Sequence, residues 1–204
     1  QHGFKHVRML PNGVDLETFS SEGHDYAHNQ TLLFTGNMNY APNVDAVQYF
    51  VKEIFPIIIQ KFPKTRFVIA GQKPVAAVKA LANDKVEVTG FVENIADCYQ
   101  TASVVVAPLR FGAGTQNKVL EALAMGVPVV CSDIGFAGLN IHSGQGAFCE
   151  TNTLDFAQRV IQLLESETLR KETGLAGMQK IRSQYDWDVL TQKLESYFTE
   201  LLHE

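Results

Sequence analysis

The chain has 204 residues and a mass of 22.6 kDa, and 46% of its residues are hydrophobic. A chain of this size and composition buries well over half of the surface that it exposes when unfolded, which excludes a disordered segment. The formal net charge is -5 and the pI is about 5.7. No general attraction to nucleic acid or anionic lipid is expected, so an anionic ligand must be held by local groups.

The three cysteines, Cys98, Cys131 and Cys149, form neither an even set for disulfides nor a Cys-X-X-Cys metal spacing. They indicate a reducing compartment, in which buried free thiols are their ordinary role.

The chain begins with Gln1 and shows no basic stretch before an apolar run, so the pattern of a signal peptide is missing. No segment is long and apolar enough to cross a bilayer. We expect the chain to be part of a longer protein.

The first 30 residues are mostly polar, contain a Pro-Asn-Gly turn and are interpreted as an interdomain linker. Short β-branched runs then alternate with amphipathic helical patterns. The predicted strands are 31–35, 66–70, 86–89, 103–107, 127–131 and 146–149. The predicted helices are 44–61, 75–81, 95–101, 116–125, 154–165, 168–185 and 187–202.

Alternating strands and helices build a parallel sheet that is covered on both faces. The predicted fold class is therefore α/β: a Rossmann-like, doubly wound parallel sheet of about six strands, followed by C-terminal helices. We divide the chain into the linker 1–30, an α/β domain 31–185 and a last helical segment 186–204.

Glycines follow four of the predicted strands. They are Gly36, Gly71, Gly90 and the pair Gly112 and Gly114. Ligands of doubly wound sheets bind beyond the carboxyl ends of the strands, where helix N-termini offer N–H groups to an anion. Four such loops on one edge predict a binding cleft there.

The fourth loop is the most informative one. Thr115 is the predicted N-cap of the next helix, and the N–H groups of Thr115 to Asn117 can hold a phosphate at the positive end of the helix dipole. Lys118 and Glu121 are three residues apart and share a helix face, so a cation for phosphate and a carboxylate for two ribose hydroxyls would point into one cleft. Spacing alone leaves a second interpretation open, a solvated surface pair of a few tenths of a kcal/mol.

Five strings span nearly the whole chain in one order: "LPNGVDLETF", "FVIAGQKP", "VEVTGFVENIADCYQTASVVVAPLRFG", "GAGTQNKVLEALAMGVPVV" and "YDWD". Together they resemble the C-terminal, donor-binding half of a retaining GT-B glycosyltransferase of family 4, also called group 1. In that family two Rossmann-like halves face each other. The C-terminal half binds a nucleotide-diphosphate sugar, and the N-terminal half supplies the acceptor site.

The resemblance implies roles for single residues. Glu121 matches the glutamate that binds the ribose hydroxyls, and Val92 falls where the main chain meets the base. Thr115 and Gln116 fall at the diphosphate, and Gly36 lies in the loop that closes over the donor phosphates. Lys118 and Glu121 are the predicted catalytic residues. The predicted donor site comprises Gly36, Asn37, Gly71, Val92, Gly112, Ala113, Gly114, Thr115, Gln116, Lys118 and Glu121.

The chain departs from the family pattern at three places. The family has two glutamates separated by seven residues, and Ala113 stands where the first one contacts the donor sugar. The family often has an arginine after the first loop glycine and a lysine shortly after it. Here Asn37 and Pro42 or Asn43 occupy those places.

A diphosphate in a dry cleft without a cation is costly, so we expect Lys118, together with Arg110 or Lys73, to supply the missing charge. In retaining enzymes of this type the leaving diphosphate is stabilised electrostatically while the acceptor hydroxyl attacks from the same face. The sequence offers no obvious protein nucleophile, and no metal or cofactor is expected beside the donor substrate.

The resemblance also implies partners and a location. The expected partners are the nucleotide-sugar donor, the N-terminal domain of the same protein and a saccharide or lipid-linked acceptor. The chain alone is expected to bind donor nucleotide weakly and to transfer nothing. A cytoplasmic location is expected, or one peripheral to the inner face of the membrane through the other domain.

Other histidines and acids are weaker candidates. His24 and His28 are four residues apart, as zinc ligands on a helix are, but a third ligand is missing. His142 lies in a loop at the sheet edge, where an ordinary loop role is favoured over a sugar contact. Asp133 follows the fifth strand and could reach the cleft or simply form a turn.

Two other functions remain open. The run "FGAGTQN" follows a strand, opens a helix and has Asp133 about twenty residues on, as in an NAD-type dinucleotide-binding module. However, Asn117 replaces the third glycine and the match comes at the fourth strand. A non-catalytic interaction domain that has lost the donor site is the other alternative.

The last helix carries an apolar stripe at helical spacing. Core packing explains such a stripe, whereas the resemblance implies that this helix crosses back to the N-terminal half and leaves part of the stripe exposed. The stripe comprises Trp187, Leu190, Leu194, Tyr197, Phe198 and Leu201.

Overall fold

A computed structural model describes residues 7–20, 26 and 30–202 of the chain. Its centre is a six-stranded sheet in which every strand pair is parallel, in the order β3-β2-β1-β4-β5-β6. The strands are β1 Thr31–Thr35, β2 Arg66–Ala70, β3 Val86–Gly90, β4 Val104–Ala107, β5 Val129–Cys131 and β6 Ala147–Cys149. The structure confirms the predicted doubly wound sheet, and strand order reverses between β1 and β4.

Helices connect the strands and follow the last one. They are α1 Ala41–Tyr49, α2 Phe55–Lys61, α3 Ala76–Lys79, α4 Ile95–Gln100, α5 Asn117–Ala124, α6 Asp133–Phe136, α7 Thr153–Glu165, α8 Glu167–Gln184 and α9 Trp187–Leu202. A π-helical segment, Phe50–Ile54, joins α1 to α2, so the predicted helix 44–61 is one stretch with an irregular middle. It begins at Ala41 because Pro42 is well accommodated in a first turn.

The short helix α6 was not expected from the sequence. Ser132 precedes it, and the Ser132 hydroxyl accepts a hydrogen bond from the N–H of Gly135 at 3.3 Å. This cap satisfies one of the N–H groups of a helix that has only four residues. Such a short element has no hydrophobic period by which a sequence could reveal it.

Two hydrophobic layers cover the sheet, one on each face. Along β1 the side chains alternate between them: Leu32 and Phe34 pack into one cluster with Phe50 and Phe67, and Leu33 packs into the other with residues of α4 and α5. Because both faces are buried, the strands are almost uniformly apolar, which is typical of parallel sheets.

None of the described helices has both the length and the apolar character that crossing a bilayer requires.

The described part of the first 20 residues packs on the domain. The N–H of Val14 donates to the carbonyl of Tyr185 at 2.8 Å, and Val14 itself is buried. Gly13 lies so close to the indole of Trp187 that an added Cβ would be 2.6 Å from it. Phe19 meets Tyr99 edge to face, with ring centroids 6.0 Å apart. This segment is thereby fixed against the rest of the chain.

The apolar stripe of α9 is only partly covered. Leu190 is buried, whereas Trp187 is 47% exposed and Phe198 is 57% exposed. Leu194 and Leu201 are exposed as well. Core packing therefore does not account for most of the stripe, and an apolar face remains open to solvent.

A substitution at Gly174 tests how closely α8 packs. Alanine in place of glycine normally stabilises a helix interior by about 1 kcal/mol, but a Cβ on Gly174 would lie 1.9 Å from the carbonyl oxygen of Gly126. We expect Gly174→Ala to lower the free energy of unfolding by about 2–3 kcal/mol, because the backbone of Gly126 must move. Urea unfolding measures the change. Gln179→Ala, at an exposed site of the same helix, should change it by less than about 0.5 kcal/mol, and a stabilised Gly174→Ala would contradict the packing.

Candidate functional site

A cleft of about 350 Å³ opens at the carboxyl ends of β1, β2 and β3, beside the start of α5. This edge, next to the reversal of strand order, is where doubly wound sheets bind their ligands. The lining comes from three strand-end loops, α4 and the first turns of α5: Thr35, Gly36, Asn37, Gly71, Gln72, Phe91, Val92, Ile95, Asn117, Lys118 and Glu121.

The structure brings together about half of the predicted site residues. Gly36, Asn37, Gly71, Val92, Lys118 and Glu121 all line this cleft. Gly112, Ala113, Gly114, Thr115 and Gln116 do not, although Gln116 reaches it through Lys118. Gly114 and Thr115 instead line a larger neighbouring cleft of about 870 Å³, whose other walls include residues of the first segment, α8 and α9.

The loops after β1, β2 and β3 rest on one another. The N–H of Gly36 donates to the carbonyl of Ala70 at 3.1 Å, and the N–H of Gly71 donates to the carbonyl of Gly90 at 3.0 Å. Gly71 has a φ of 141°, and a Cβ there would lie 1.9 Å from the carbonyl oxygen of Gly36. Only glycine allows the two loops to approach this closely, so its role is visible in the packing of the cleft wall.

Lys118 is buried beside the cleft, with 8% of its surface exposed. Its Nζ donates to Oδ1 of Asn43 and to Oε1 of Gln116, each at 3.2 Å, and lies 5.1 Å from the centre of the Phe34 ring. Burial lowers the pKa of Lys118 to about 8, and the negative charge of Glu121 opposes this shift. The ammonium group is thus held in place but poorly solvated.

Glu121 lies one helical turn further along the same face. Its Oε2 accepts a hydrogen bond of 2.7 Å from the hydroxyl of Tyr99, which in turn is 2.6 Å from Oγ1 of Thr35. Burial raises the pKa of Glu121, while the bond from Tyr99 and the charge of Lys118 act in the opposite direction. The same burial, together with the charge of Glu121, raises the pKa of Tyr99 well above its ordinary value.

The start of α5 differs from the prediction. Gln116, not Thr115, is the N-cap residue: it has an extended backbone, and no side-chain cap bond is formed. Thr115 as the N-cap is therefore wrong by one residue. Within the described part of the chain, the N–H groups of Asn117 and Lys118 have no hydrogen-bond partner, as is usual in a first turn, and they can receive an anion. Asn12 donates to the Asn117 side chain at 2.9 Å.

The expectation that Arg110 adds positive charge to the cleft is wrong. Its guanidinium forms an ion pair with Asp45 and lies 4.8 Å from the centre of the Tyr49 ring, in a separate recess. Lys73 has a φ of 57° but does not line the cleft either. Of the three proposed cations, Lys118 alone is found at the cleft.

The remaining candidates lie elsewhere. Asp133 begins α6 and lines the recess of Arg110, so it does not reach the cleft. His142 is exposed in a turn away from it. His24 and His28 fall outside the described residues. Among the described residues, no group of three His, Cys, Asp or Glu side chains is placed to hold a metal.

Sequence reasoning missed several residues of the site. Tyr99 and Thr35 hold the carboxylate, and Asn43 holds the lysine. Gln72, Phe91 and Ile95 also line the cleft and were not predicted. Phe91 could have been found, because it is a large apolar residue directly after a strand-end glycine. The Tyr99 and Asn43 contacts link segments that are far apart in the chain, and no local pattern records them.

The chain matches the family described as Glycosyl transferases group 1 over residues 29–166. It is 26% identical over 200 residues to a phosphatidyl-myo-inositol mannosyltransferase of Mycobacterium tuberculosis, an alignment that covers 91% of this chain and 52% of that protein. It is 30% identical over 84 residues to human alpha-1,3/1,6-mannosyltransferase ALG2, which covers 41% of this chain and 20% of that protein. The chain thus spans about half the length of the mannosyltransferases that it matches along most of its own length.

Solved structures share the fold. TarM of S. aureus superposes with a TM-score of 0.79 at 20% identity, over 96% of this chain and 40% of TarM. HepE of Anabaena, in complex with UDP and glucose, gives 0.78 at 15% identity, over 94% of this chain and 56% of HepE. The C-terminal domain of LpcC from Francisella tularensis gives 0.71 at 18% identity, over 86% of this chain and all of that domain (100%).

These matches define the class of protein. The fold is one Rossmann-like half of a GT-B glycosyltransferase, and the chain belongs to the group 1 glycosyl transferases.

The low pKa of Lys118 predicts a pH dependence of stability. Its folded-state pKa is about 8, against an ordinary value of 10.5. Between these values the unfolded chain binds more protons than the folded chain, so this group makes folding more favourable as the pH rises. From about pH 8 to about pH 10, the free energy of unfolding of the wild type should rise by about 1–3 kcal/mol relative to that of Lys118→Met. Urea unfolding of both proteins across this range measures the difference, and a constant difference would contradict the burial of the charge.

Proposed function

We propose that this chain is the donor-binding half of a family 4 glycosyltransferase. The enzyme would move a sugar from a nucleotide-diphosphate sugar to an acceptor hydroxyl with retention of configuration. One observation carries the proposal: Lys118 and Glu121 line one cleft together with the first turn of α5, whose N–H groups at Asn117 and Lys118 have no partner among the described residues. A cation, free N–H groups and a carboxylate in this order match the diphosphate and ribose of such a donor.

We infer the position of the nucleotide from these groups. The Glu121 carboxylate accepts hydrogen bonds from the ribose hydroxyls, and the diphosphate lies against Lys118 and the N–H groups of Asn117 and Lys118. The base lies towards Val92 and Phe91, at the end of the cleft formed by the loop after β3. Phe91 is largely exposed, so its ring is available for contact with the base.

Catalysis in this proposal rests on charge and position. When the bond between the anomeric carbon and the diphosphate breaks, negative charge grows on the leaving phosphate. Lys118 in its ammonium form, fixed by Asn43 and Gln116, stabilises that charge in a poorly solvated site. The acceptor oxygen bonds to the anomeric carbon on the face that the diphosphate leaves, its proton passes to the departing phosphate oxygen, and the protein holds the two groups in place.

The contact with the donor sugar is the part of the site where this chain departs most from the family pattern. Ala113 cannot supply the carboxylate that the family has at this position. The two clefts meet where α5 begins, since Asn117 and Lys118 of its first turn line the smaller one and Gly114 and Thr115 of the preceding loop line the larger one. We therefore place the donor sugar at the boundary between the two clefts, near Thr115.

The proposed partners follow from the same placement. The matched mannosyltransferases are about twice as long as this chain, and α9 presents an uncovered apolar face that an N-terminal domain of the same protein would cover. A phosphatidyl-myo-inositol mannosyltransferase acts on a lipid, so we propose a saccharide or lipid-linked acceptor here. The acceptor site would lie on the other domain, and we propose that the chain alone transfers no sugar. The proposed location is cytoplasmic, or peripheral to the inner face of the membrane.

Nucleotide titration tests the donor site. We expect UDP or GDP to bind the purified chain, because Lys118 and Glu121 contact diphosphate and ribose. Lys118→Ala and Glu121→Gln should each weaken binding by about 10-fold or more, the usual loss for a hydrogen bond to a charged group. Isothermal titration calorimetry measures the affinity. Lys171→Ala and Glu172→Gln, at exposed sites of α8, are matched controls that should bind like the wild type.

Each alternative has its own outcome. Binding of NAD without UDP, GDP or ADP would replace the proposal with a dinucleotide-binding module. No binding of any of these nucleotides would favour an interaction domain that has lost the donor site. Unchanged affinity in Lys118→Ala would show that this lysine does not replace the two cations that the family often has where this chain has Asn37 and Pro42.

Donor binding should also depend on pH. The free chain has a Lys118 pKa of about 8, whereas a terminal phosphate titrates near pH 6 and is fully charged above that value. As the pH rises from about 7 to about 9, Lys118 loses its proton and the affinity for UDP or GDP should fall by about 10-fold. The slope should be absent in Lys118→Ala. An equal slope in both proteins would assign the pH dependence to another group.

A further inference from the structure

Tyr99 is a fully buried residue that the nucleotide does not reach. It lies on α4 and does not line the cleft, whereas its neighbour on the same helix, Ile95, does. One edge of its ring packs against Phe19. Only its hydroxyl points towards the site, where it meets Thr35 and Glu121.

The direction of the hydrogen bonds is fixed by counting protons. A tyrosine hydroxyl has one proton, and an ionised carboxylate has none to give. At 2.7 Å from Oε2 of Glu121, Tyr99 therefore donates. The contact of 2.6 Å between Tyr99 and Thr35 must then run the other way, with Thr35 as the donor. The hydroxyl of Thr35 therefore donates to the hydroxyl of Tyr99, which donates to the carboxylate of Glu121. We call these three linked groups the relay.

This relay acts on one oxygen of the carboxylate. Oε2 is held by Tyr99, and within the described residues Oε1 has no recorded partner. The titratable groups that act on Glu121 are Lys118 on its own helix and Tyr99 on α4, while Cys98 acts on Tyr99. Burial favours the protonated acid, in which the oxygen that carries the proton is a poorer acceptor for a ribose hydroxyl. The bond from Tyr99 opposes this change and also fixes the rotation of the carboxylate.

We propose that Tyr99 is a positioning residue that sets the Glu121 carboxylate to accept from the ribose hydroxyls, so that ribose is selected over deoxyribose by a group outside the cleft. The inference rests on the proposed function, since it requires that Glu121 contacts ribose. The preference for ribose over deoxyribose would then depend on the relay, which begins at Thr35 on β1.

The test compares UDP and GDP with their 2′-deoxy counterparts by calorimetry on the purified chain. The wild type should bind the ribonucleotide about 10-fold more tightly, because one hydrogen bond to a carboxylate is lost with the 2′-hydroxyl. Tyr99→Phe should reduce this preference to about 3-fold or less and weaken binding of the ribonucleotide itself. The ratio of the two affinities does not depend on the fraction of folded protein, so a loss of stability alone leaves it unchanged.

Two further variants separate positioning from a general structural effect. In the Glu121→Ala background, adding Tyr99→Phe should change the affinity by less than about 2-fold, because the acceptor through which Tyr99 acts is gone. Tyr49→Phe is the matched control, since it also removes a tyrosine hydroxyl that meets a threonine, Thr153, at 2.8 Å. It should keep the full ribose preference.

The outcomes are distinct. If the wild type prefers ribose and Tyr99→Phe keeps that preference, the inference on Tyr99 is overturned and the proposed donor site stands. If Tyr99→Phe weakens binding equally with and without Glu121, Tyr99 acts on the fold and not on the carboxylate. If the wild type shows no preference for ribose, the ribose contact of Glu121 is wrong, and the role of Tyr99 falls with it.

Discussion

The carboxyl ends of β1, β2 and β3 are joined by backbone hydrogen bonds that continue past the strands. Gly36, just after β1, bonds to Ala70 at the end of β2, and Gly71, just after β2, bonds to Gly90 at the end of β3, so the three strand ends form one wall. A parallel sheet with both faces buried brings these ends to one edge, but it does not by itself close them into a wall. These hydrogen bonds and the close approach of Gly71 to Gly36 do, and they form one wall of the cleft.

The cleft shows a conflict between stability and function. Lys118 is buried at the start of a helix, where the dipole disfavours a cation and desolvation adds a further cost. Glu121 is also desolvated, although less completely. Both groups are retained in a fold whose other described core positions are almost all apolar. Such groups are typical of sites where a ligand of opposite charge completes the electrostatic balance.

The sheet was predictable because β-branched runs and helical periods are local signals, and they gave all six strands to within two residues. The sequence also predicted that one cleft would bring several site residues together, because the carboxyl ends of parallel strands lie at one edge of the sheet. These residues are Gly36, Gly71, Val92, Lys118 and Glu121. The contacts between side chains from distant parts of the chain could not be predicted from the sequence. Arg110 lies beyond the end of β4 at the same edge of the sheet, yet it forms an ion pair with Asp45 of α1. The contact of Tyr99 was not predicted either, because its hydroxyl donates to a carboxylate 22 residues further along the chain.

The bond between Asn12 and Asn117 ties the first segment of the chain to the first turn of α5. A second bond, from Val14 to Tyr185, lies two residues further on and joins the same segment to the end of α8. Because both contacts belong to one short stretch of backbone, that stretch holds the start of α5 and the junction between α8 and α9 in fixed positions relative to each other.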